Sequence, residues 1–279
     1  MIGGRTQLFA LLGWPVGHSL SPAMQNAALA EANVDAVYLA LPVAPPDLAD
    51  ALRGAHALGL KGLNVTVPHK EEAARLCRSL DPIAARVGAV NTLTRLDEGW
   101  AGHNTDAPAV RGLLTDAGVG PRSRGLVLGA GGAARAAVWA LLQAGAEVTV
   151  AARRPEVAAR LCREMALGLG KPESMARAVP WEEAPSQVIR ADAVVHATSL
   201  GMPEKAGELP PLAWRAGQVA LDFVYGDTTF ARSARDAGTR LISGEEVLVR
   251  QGALAFRLWL DRHASEDAMA RAIARPGGR

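Results

Sequence analysis

The chain has 279 residues, room for about two domains, and its composition, 49% hydrophobic and 21% charged, is that of a globular protein. Its 30 basic and 28 acidic residues leave a net charge of +2 with no long run of one sign, which argues against nucleic acid or an anionic membrane as a partner. Two distant cysteines, no signal peptide and no long apolar stretch lead us to expect a reduced, cytoplasmic protein, and no spacing of His, Cys or Asp indicates a metal site.

Strand-like and helix-like segments alternate through the N-terminal part of the chain. Strands are predicted at residues 8–12, 37–41 and 62–67, with a further strand pair around residues 88–94 and a turn at Glu98 and Gly99. Helices are predicted at residues 21–32, with Ser21 as the N-cap, at residues 47–58, with Asp47 as the cap, and at residues 71–80. This alternation favours a mainly parallel α/β sheet.

A glycine-rich turn lies at the centre of a strand-helix-strand unit at residues 125–151. The length of the unit is that of a βαβ dinucleotide-binding motif. Gly129 allows the tight turn, Gly131 lets the backbone approach a pyrophosphate, and Gly132 lets the helix pack against the strand. The phosphates would meet the N–H groups at the helix N-terminus. An ordinary structural turn between a strand and a helix is the alternative.

The second strand of this unit runs into Ala152, Arg153 and Arg154 rather than into an acid. A cofactor with a free 2′-hydroxyl is usually held there by Asp or Glu, whereas two guanidinium groups suit a 2′-phosphate. The arginine pair therefore predicts NADP as the cofactor, with a solvated loop as the alternative interpretation.

The remaining elements complete a Rossmann-type domain. Further buried strands are predicted at residues 193–195 and 219–222, and one long helix at residues 245–263 carries polar residues on its inner face. Residues 275–279 are predicted to be disordered. We expect two α/β domains, formed by residues 1–105 with 242–279 and by residues 106–241, with the active site in the cleft between them.

Three polar segments could serve a hydride transfer, which needs a proton donor or acceptor beside the substrate oxygen and fixed hydrogen-bond partners. Residues 64–70 place Lys70 at the carboxyl end of a predicted strand, where open α/β sheets bind ligands. Residues 102–106 enter the Rossmann half, and residues 17–22 put alternate serines at a helix start, which suits a carboxylate. Each segment alone has a structural alternative: an N-cap serine, a solvated lysine or a capping aspartate.

Together, these segments resemble the shikimate dehydrogenases along almost the whole chain. The matching segments, in the order and spacing of that family, are residues 13–22 (GWPVGHSLSP), 64–70 (NVTVPHK), 88–92 (GAVNT), 104–106 (NTD), 129–134 (GAGGAA), 197–202 (ATSLGM), 222–225 (DFVY) and 251–256 (QGALAF). The resemblance implies an N-terminal substrate domain, a Rossmann-type NADP-binding domain and a C-terminal helix that returns to the first domain. It also implies NADP-dependent, reversible reduction of 3-dehydroshikimate to shikimate, a step in the biosynthesis of chorismate and the aromatic amino acids.

The resemblance further implies roles for individual residues. Lys70 and Asp106 would be the catalytic pair, and such a pair makes physical sense because each charge keeps the other ionised. We expect Lys70 to move the proton and Asp106 to orient it, and the reverse assignment stays open. The substrate would be bound through its carboxylate by Ser19, Ser21 and Tyr225, and through its hydroxyls by Asn64, Thr66, Asn91, Asp106 and Gln251. The cofactor would be bound by Gly129, Ala130, Gly131, Gly132, Ala133, Arg153, Arg154, Thr198 and Gly244.

Several positions depart from the family pattern. Gln25 stands where a His is common, and residues 152–154 differ from the usual Asn-Arg-Thr, so the ratio of NADP to NAD preference stays open. His196 replaces an Asn, with either an altered cofactor affinity or simple filling of space as the consequence. Residues 227–229 lack a proline that is common there.

Three other functions are compatible with parts of this sequence. A related dehydrogenase that also oxidises quinate, often with NAD, is the nearest alternative, and the arginine pair argues against it. A catalytically silent paralogue acting as a sensor or repressor should have lost the lysine or the aspartate, and both are present. An unrelated NADP-binding domain would leave the substrate motifs unexplained. Family members occur as monomers and dimers, so the oligomeric state stays open.

Overall fold

The computed structural model describes residues 2–201 and 209–274. It divides into two compact units, Met1–Thr105 with Leu248–Arg279, and Asp106–Val247. The corresponding domain boundaries predicted from the sequence lie after residues 105 and 241. Met202 of the predicted motif and residues 275–279, for which we expect disorder, lie outside the described residues.

The first unit is built on a mixed β-sheet. Its strands are β1 (Gln7–Gly13), β2 (Ala36–Pro42), β3 (Gly62–Val65), β4 (Ser79–Leu80), β5 (Thr92–Arg95) and β6 (Trp100–His103). Its first helices are α1 (Ser21–Glu31), α2 (Leu48–Ala57), α3 (Lys70–Leu76) and α4 (Pro82–Val87), and a 3-10 turn covers Pro45–Asp47. The strand order is β2-β1-β3-β5-β6-β4, and the pairs that involve β5 are antiparallel. The predicted strand pair is confirmed as the hairpin of β5 and β6.

The helix predicted at residues 71–80 is wrong in its second half. α3 ends at Leu76, and the next residue is extended. Ser79 and Leu80 instead form β4, which pairs with β6. Asp81 then begins α4 by accepting the N–H of Ala84 at 2.6 Å. Pairing with a distant strand and a capping aspartate override the local helical pattern.

The N-cap predicted at Ser21 is also wrong. α1 begins at Ser21 itself, with Leu20 in the cap position and Pro22 in the first turn. No side chain caps α1, although the N–H of Ser21 donates to Oγ of Ser19 at 3.2 Å. Asp47 does precede α2, but its side chain accepts no capping hydrogen bond from the described residues.

The third strand is shorter than predicted, and its end sets the position of Lys70. β3 stops at Val65, although the N–H of Thr66 still donates to the carbonyl of Leu12 at 2.9 Å. The chain then turns, and the N–H of His69 donates back to the carbonyl of Thr66 at 2.9 Å. Lys70 follows as the first residue of α3.

The second unit contains a parallel sheet. Its strands are β7 (Arg124–Leu128), β8 (Glu147–Ala152), β9 (Ala176–Pro180), β10 (Ala193–His196), β11 (Val219–Asp222) and β12 (Arg240–Ile242). Its helices are α5 (Asp106–Asp116), α6 (Gly132–Gln143), α7 (Pro155–Gly168), α8 (Ala184–Val188) and α9 (Thr229–Asp236), with 3-10 turns at Glu173–Met175 and Trp181–Glu183. The strand order is β12-β11-β10-β7-β8-β9, which reverses between β7 and β10. This is the order of a Rossmann fold, and that prediction is confirmed.

The last helices are α10 (Gly244–Leu260) and α11 (Glu266–Ile273). α10 is shorter than predicted, and from Leu248 onward the chain belongs to the first unit. There Trp259 packs against Phe9, with 5.1 Å between ring centroids, and donates to the carbonyl of Leu93 at 3.0 Å. Gly62 faces the indole, where any larger residue would collide with it. The predicted return of the C-terminal helix to the first domain is confirmed.

Candidate active site

A buried polar network in the first unit gathers several predicted substrate-binding residues. Asn91, just before β5, is 3% exposed. Its side-chain oxygen accepts the N–H of Thr105 at 2.8 Å. Its amide donates to Oγ1 of Thr105 at 2.9 Å and to Oε1 of Gln251 at 3.1 Å. The amide of Gln251 donates in turn to the carbonyl of Leu248 at 2.9 Å. Asn91 thus joins segments that lie far apart in the sequence.

Asn64 extends this network across the sheet. Its side-chain oxygen accepts the hydroxyl of Tyr38 at 2.8 Å. Its amide donates to the carbonyl of Asn91 at 2.9 Å and to Oγ1 of Thr92 at 3.0 Å, so both amide hydrogens have protein partners. At 5% exposure an unpaired amide would be costly, and the network therefore holds the side chain in place without a ligand. Neither Tyr38 nor Thr92 was predicted from the sequence in this role, although both are polar residues on apolar strands.

Lys70 is half-buried at the start of α3 and is tied to the same network through its backbone. Its carbonyl accepts the N–H of Val90 at 2.9 Å, one residue before Asn91. His69, which precedes it, is buried, and its Nε2 lies 2.7 Å from the carbonyl oxygen of Val43. These contacts fix the point from which the lysine side chain extends.

Asp106 belongs to the second unit and opens α5, directly after Thr105 in the chain. It is buried, with 5% of its surface exposed. In the same unit, burial and then the negative charges of Asp106 and Glu245 raise the pKa of Tyr225 to about 12. Tyr225 is therefore neutral at physiological pH and retains a hydroxyl hydrogen to donate.

In the first unit, the hydroxyl groups of the predicted substrate-binding residues make fewer hydrogen bonds within the protein than the side-chain amides do. Ser21 is 6% exposed and Thr66 is half-buried, and neither hydroxyl bonds to another described residue. Ser19 accepts the N–H of Ser21 and keeps its own hydroxyl hydrogen. Such groups at the start of α1 suit an anionic ligand.

The glycine turn of the second unit leaves its backbone donors open. Gly129 has a φ of +114°, and a Cβ there would lie 2.8 Å from the carbonyl oxygen of Ala197, so only glycine fits. Gly131 occupies the N-cap of α6, whose first turn carries no acid, and no described atom lies within 4 Å of where its Cβ would stand. Residues 130–133 are exposed or half-buried at a helix start, whose first N–H groups have no partner within the helix, and this fits a diphosphate.

Arg153 and Arg154 follow β8 at the same edge of the sheet. Both are exposed, and neither side chain pairs with any other described residue. Arg154 also occupies the N-cap position of α7. Two uncommitted guanidinium groups, one strand away from the glycine turn, fit a 2′-phosphate.

His196 and Thr198 lie on the other side of the glycine turn. His196 ends β10, where it pairs in register with Leu128 of β7 and with Asp222 of β11. Its ring is fully buried, with Nδ1 2.8 Å from Oδ1 of Asp222 and Nε2 2.7 Å from Oγ1 of Thr198. Both nitrogens are bonded, so the side chain does more than fill space.

Gly244 opens α10 against the end of β11. A Cβ at this position would lie 2.5 Å from the carbonyl oxygen of Val224. Gly244 also lines a cavity of about 200 Å³ with Asp222, Val224 and Glu245. The predicted cofactor residues of the second unit thus follow the carboxyl ends of its strands.

Two further features bear on the kind of site present. Within residues 2–201 and 209–274, no group of three or more His, Cys, Asp or Glu side chains is arranged to hold a metal ion. Over the same residues, no helix combines the length and apolar character needed to cross a membrane.

Comparison with known proteins identifies the family. Two family models match: the shikimate dehydrogenase substrate binding domain over residues 11–93 and the shikimate 5′-dehydrogenase C-terminal domain over residues 244–274. The shikimate dehydrogenase (NADP(+)) of Anaeromyxobacter sp. (strain K) is 59% identical over 280 aligned residues that cover 100% of both chains. The solved shikimate dehydrogenase of Aquifex aeolicus gives a TM-score of 0.88 at 33% identity, covering 99% of this chain and 100% of that one. The Thermus thermophilus enzyme, solved with NADP(H) and shikimate, gives 0.82 at 36% identity over 95% and 98% of the two chains. The prediction from the motifs is confirmed, and the chain belongs to the shikimate dehydrogenase family.

Proposed function

We propose that the chain is an NADP-dependent shikimate dehydrogenase that transfers a hydride reversibly between NADPH and 3-dehydroshikimate, with shikimate as the reduced product. The observation that carries this proposal is the 59% identity, over the whole chain, with a relative named for that activity and cofactor. The product would serve the biosynthesis of chorismate and the aromatic amino acids.

The second unit supplies the groups suited to the cofactor, which provides the hydride when bound. The open N–H groups of residues 130–133 and the positive end of the α6 dipole favour the diphosphate. Arg153 and Arg154 would bind the 2′-phosphate, and Thr198 and Gly244 would contact the rest of the cofactor. We therefore assign residues 106–241 to NADP binding.

Residues 1–105 and 242–279 are assigned to substrate binding. The hydroxyls of Ser19 and Ser21, together with the neutral Tyr225 of the other unit, are suited to the substrate carboxylate. Thr66 retains a hydroxyl for a ring hydroxyl of the substrate.

The amides of the first unit would read the remaining ring hydroxyls from a fixed frame. Gln251 uses one hydrogen of its amide on Leu248 and keeps the other. Asn64 keeps one lone pair on its oxygen after accepting from Tyr38. Asn91 would act mainly by holding Gln251 and the chain at Thr105 in place.

Lys70 and Asp106 are proposed as the catalytic pair. Lys70 would give a proton to the substrate carbonyl oxygen as the hydride arrives, and would take it back in the reverse reaction. Asp106 would orient the ammonium group, and each charge would keep the other ionised. Two backbone contacts support this assignment. The carbonyl of Lys70 is held by Val90, and the N–H of Thr105 is held by Asn91. Asp106 directly follows Thr105, so both members of the pair start from fixed points of the chain.

We further propose that the protein acts in the cytoplasm, as a monomer or a homodimer, without nucleic acid or a membrane as a partner. The nearly balanced charge supports this proposal. So do the two separate cysteines, because burial raises the pKa of both Cys77 and Cys162 to about 11 and keeps them as unreactive thiols.

Initial rates with the purified protein test the proposal directly. Four pairs are compared by NADPH or NADH absorbance: shikimate or quinate, each with NADP or NAD. Activity confined to shikimate with NADP is expected. Comparable rates with quinate or NAD would place the chain among the broader quinate and shikimate dehydrogenases. A folded protein with no activity in any pair would contradict the proposal and favour a silent sensor.

A further inference from the structure

A chain of hydrogen bonds runs along the carboxyl edge of the second sheet, from Thr228 through Asp222 and His196 to Thr198. The hydroxyl of Thr228 donates to Oδ2 of Asp222 at 2.6 Å. Oδ1 of Asp222 lies 2.8 Å from Nδ1 of His196, whose Nε2 lies 2.7 Å from Oγ1 of Thr198. The parallel pairing of β10 and β11 places His196 directly opposite Asp222.

His196 and Asp222, at the centre of this chain of hydrogen bonds, are enclosed by protein, whereas Thr198 is half-buried. His196 is 0% exposed and Asp222 is 1% exposed. The imidazole stacks on Phe230, with ring centroids 5.1 Å apart and planes 30° from parallel. Asp222 also accepts the N–H of Val224 at 2.9 Å. A carboxylate that receives several donors at this depth is set as an acceptor, and it fixes the imidazole that faces it.

The directions of these bonds follow from the donors available. Because Asp222 accepts, Nδ1 of His196 carries a hydrogen, and in the tautomer with hydrogen on that nitrogen alone Nε2 is an acceptor. In that tautomer the hydroxyl of Thr198 donates to Nε2. Its oxygen already accepts the N–H of Leu200 at 3.1 Å and has one lone pair left. Toward a ligand, Thr198 therefore presents an acceptor and no donor.

Thr198 lies beside the glycine turn. A Cβ on Gly129 would come within 3.2 Å of Cγ2 of Thr198. The strand order reverses between β7 and β10, and dinucleotides bind in the crevice at such a reversal. Arg153 and Arg154 follow β8, on one side of β7, and mark the adenosine 2′-phosphate side. Thr198 follows β10, on the other side, where the nicotinamide half of the cofactor would extend.

We propose that His196 is a positioning residue for NADP(H): held by Asp222, it turns the Thr198 hydroxyl so that its oxygen accepts a hydrogen bond from the nicotinamide half. This inference rests on the proposed function, because it takes NADP(H) as the cofactor. The donor would be an amide N–H or a ribose O–H, the classes of donor on that half of the molecule. His196 does not touch the cofactor in this proposal and acts through Thr198.

Long-range proton–nitrogen NMR spectra of the protein without ligands test the first step. We expect the His196 ring to carry hydrogen on Nδ1 and none on Nε2, with the signal assigned by its loss in His196→Asn. A ring protonated on Nε2 would reverse the direction of the Thr198 bond and overturn the proposal. This readout does not depend on turnover.

NADPH fluorescence titration tests the second step. Thr198→Val removes the hydroxyl at nearly constant shape, and we expect Kd for NADPH to rise about two- to tenfold, as for the loss of one hydrogen bond. Thr198→Ser keeps the hydroxyl and should restore most of the affinity. In steady-state kinetics the loss should appear in KM for NADPH and not in KM for shikimate. Wild-type affinity in Thr198→Val would overturn the proposal.

A double-mutant cycle separates positioning from a merely structural role. Asn at residue 196 can still donate to Asp222 but is too short to reach Thr198. We expect His196→Asn to weaken NADPH binding as Thr198→Val does, and the double variant to match either single variant within about twofold. Additive losses would show that His196 does not act through Thr198.

His103 offers a matched control. Its Nδ1 lies 3.0 Å from Asp81 and its Nε2 lies 2.9 Å from Oγ1 of Thr94, the same kinds of partner as those of His196, but in the first unit. His103→Asn should leave Kd for NADPH within about twofold of the wild type, because effects at independent sites agree to about that margin.

The wild-type protein distinguishes failure of this proposal from failure of the proposed function. If it binds NADPH but does not oxidise shikimate, the proposed substrate is wrong and the test of His196 still stands. A protein that binds no NADPH would overturn both proposals.

Discussion

An aspartate, a histidine and a threonine meet in each unit of this chain, and their surroundings differ. Around His103 the group is partly open to solvent, with side-chain exposures of 18% for His103 and 25% for Asp81. Around His196 both the histidine and Asp222 are buried. The first group ties β5 and β6 to the start of α4. The second ends on a threonine beside the glycine turn. The same three residue types thus serve fold in one unit and, in our proposal, cofactor binding in the other.

The units also differ in whether their polar groups are already hydrogen-bonded within the protein. In the first unit Asn64, Asn91 and Gln251 bond mainly to one another and to the chain. In the second unit the donors of residues 130–133 and the two arginines are left open. The proposed substrate side has its polar groups fixed in advance, whereas the proposed cofactor side has uncommitted charges and N–H groups. The two sides should therefore respond differently to substitution.

The largest effect is expected from Lys70→Ala in the first unit. Loss of the proposed acid and base should reduce kcat by about 10²- to 10⁴-fold. NADPH affinity, measured by fluorescence, should change little, because the groups proposed to bind the cofactor lie in the second unit. Glu71→Ala, an exposed substitution one residue away, is the control. Near-normal turnover in Lys70→Ala would remove the lysine from the mechanism.

Arg153→Ala should produce the next largest effect, and on the cofactor side alone. Loss of charge-assisted hydrogen bonds to the 2′-phosphate should raise KM for NADP by about 10- to 100-fold, with little change for NAD. The control is Arg160→Ala in α7, the helix that follows Arg154. Arg160 already faces Glu164 at 3.9 Å, so its loss should leave both values unchanged. An equal loss for NADP and NAD would contradict the 2′-phosphate assignment.

Two glycine substitutions in the cofactor turn separate folding from binding. Gly129→Ala places a Cβ against the carbonyl of Ala197 at a positive φ, so the free energy of unfolding should fall by about 1–3 kcal/mol. Gly131→Ala meets no described atom and should leave Tm nearly unchanged while weakening NADPH binding, because its Cβ enters the space for the diphosphate. Thermal unfolding and fluorescence titration read the two effects. Equal Tm losses would indicate that Gly131 also serves the fold.

The smallest effect concerns pH and Asp81 in the first unit. Burial alone would raise the pKa of Asp81, but hydrogen bonds from His103 and the N–H of Ala84 outweigh it and hold that pKa below its ordinary value. A lowered pKa means that the charged form stabilises the fold above about pH 4 and that this contribution is lost as the pH falls further. Asp81→Asn keeps the capping oxygen and removes the charge. Urea unfolding should show it less stable than the wild type at neutral pH, with the difference shrinking toward pH 3; a constant difference would exclude this origin.

Much of the fold could be predicted from local patterns, and the exceptions have a common cause. The glycine turn and apolar runs of β7, β8, β10 and β11 predict the Rossmann sheet directly. β4 has only two residues and exists because β6 lies beside it. The end of α3 depends on that pairing and on the cap at Asp81. Such elements are decided by partners that are distant in sequence.

The sequence predicts candidate site residues, but not the hydrogen bonds that join them. Motifs named Asn64, Asn91 and Gln251 as ligand residues, but no pattern indicates that they bond to one another. Nor does any local signal join His196 to Asp222, because the register of two parallel strands makes that contact. The missing proline at residues 227–229 has a physical counterpart: Thr228 caps α9 through the N–H of Ala231 and donates to Asp222.

The return of the C-terminal segment to the first unit sets an order of assembly during synthesis. The second unit, Asp106–Val247, is one uninterrupted stretch and has all of its strands once that stretch has left the ribosome. The first unit begins earlier but lacks Trp259, which covers Phe9 and packs near Tyr38. The half of the protein that is translated first is therefore the half that is completed last.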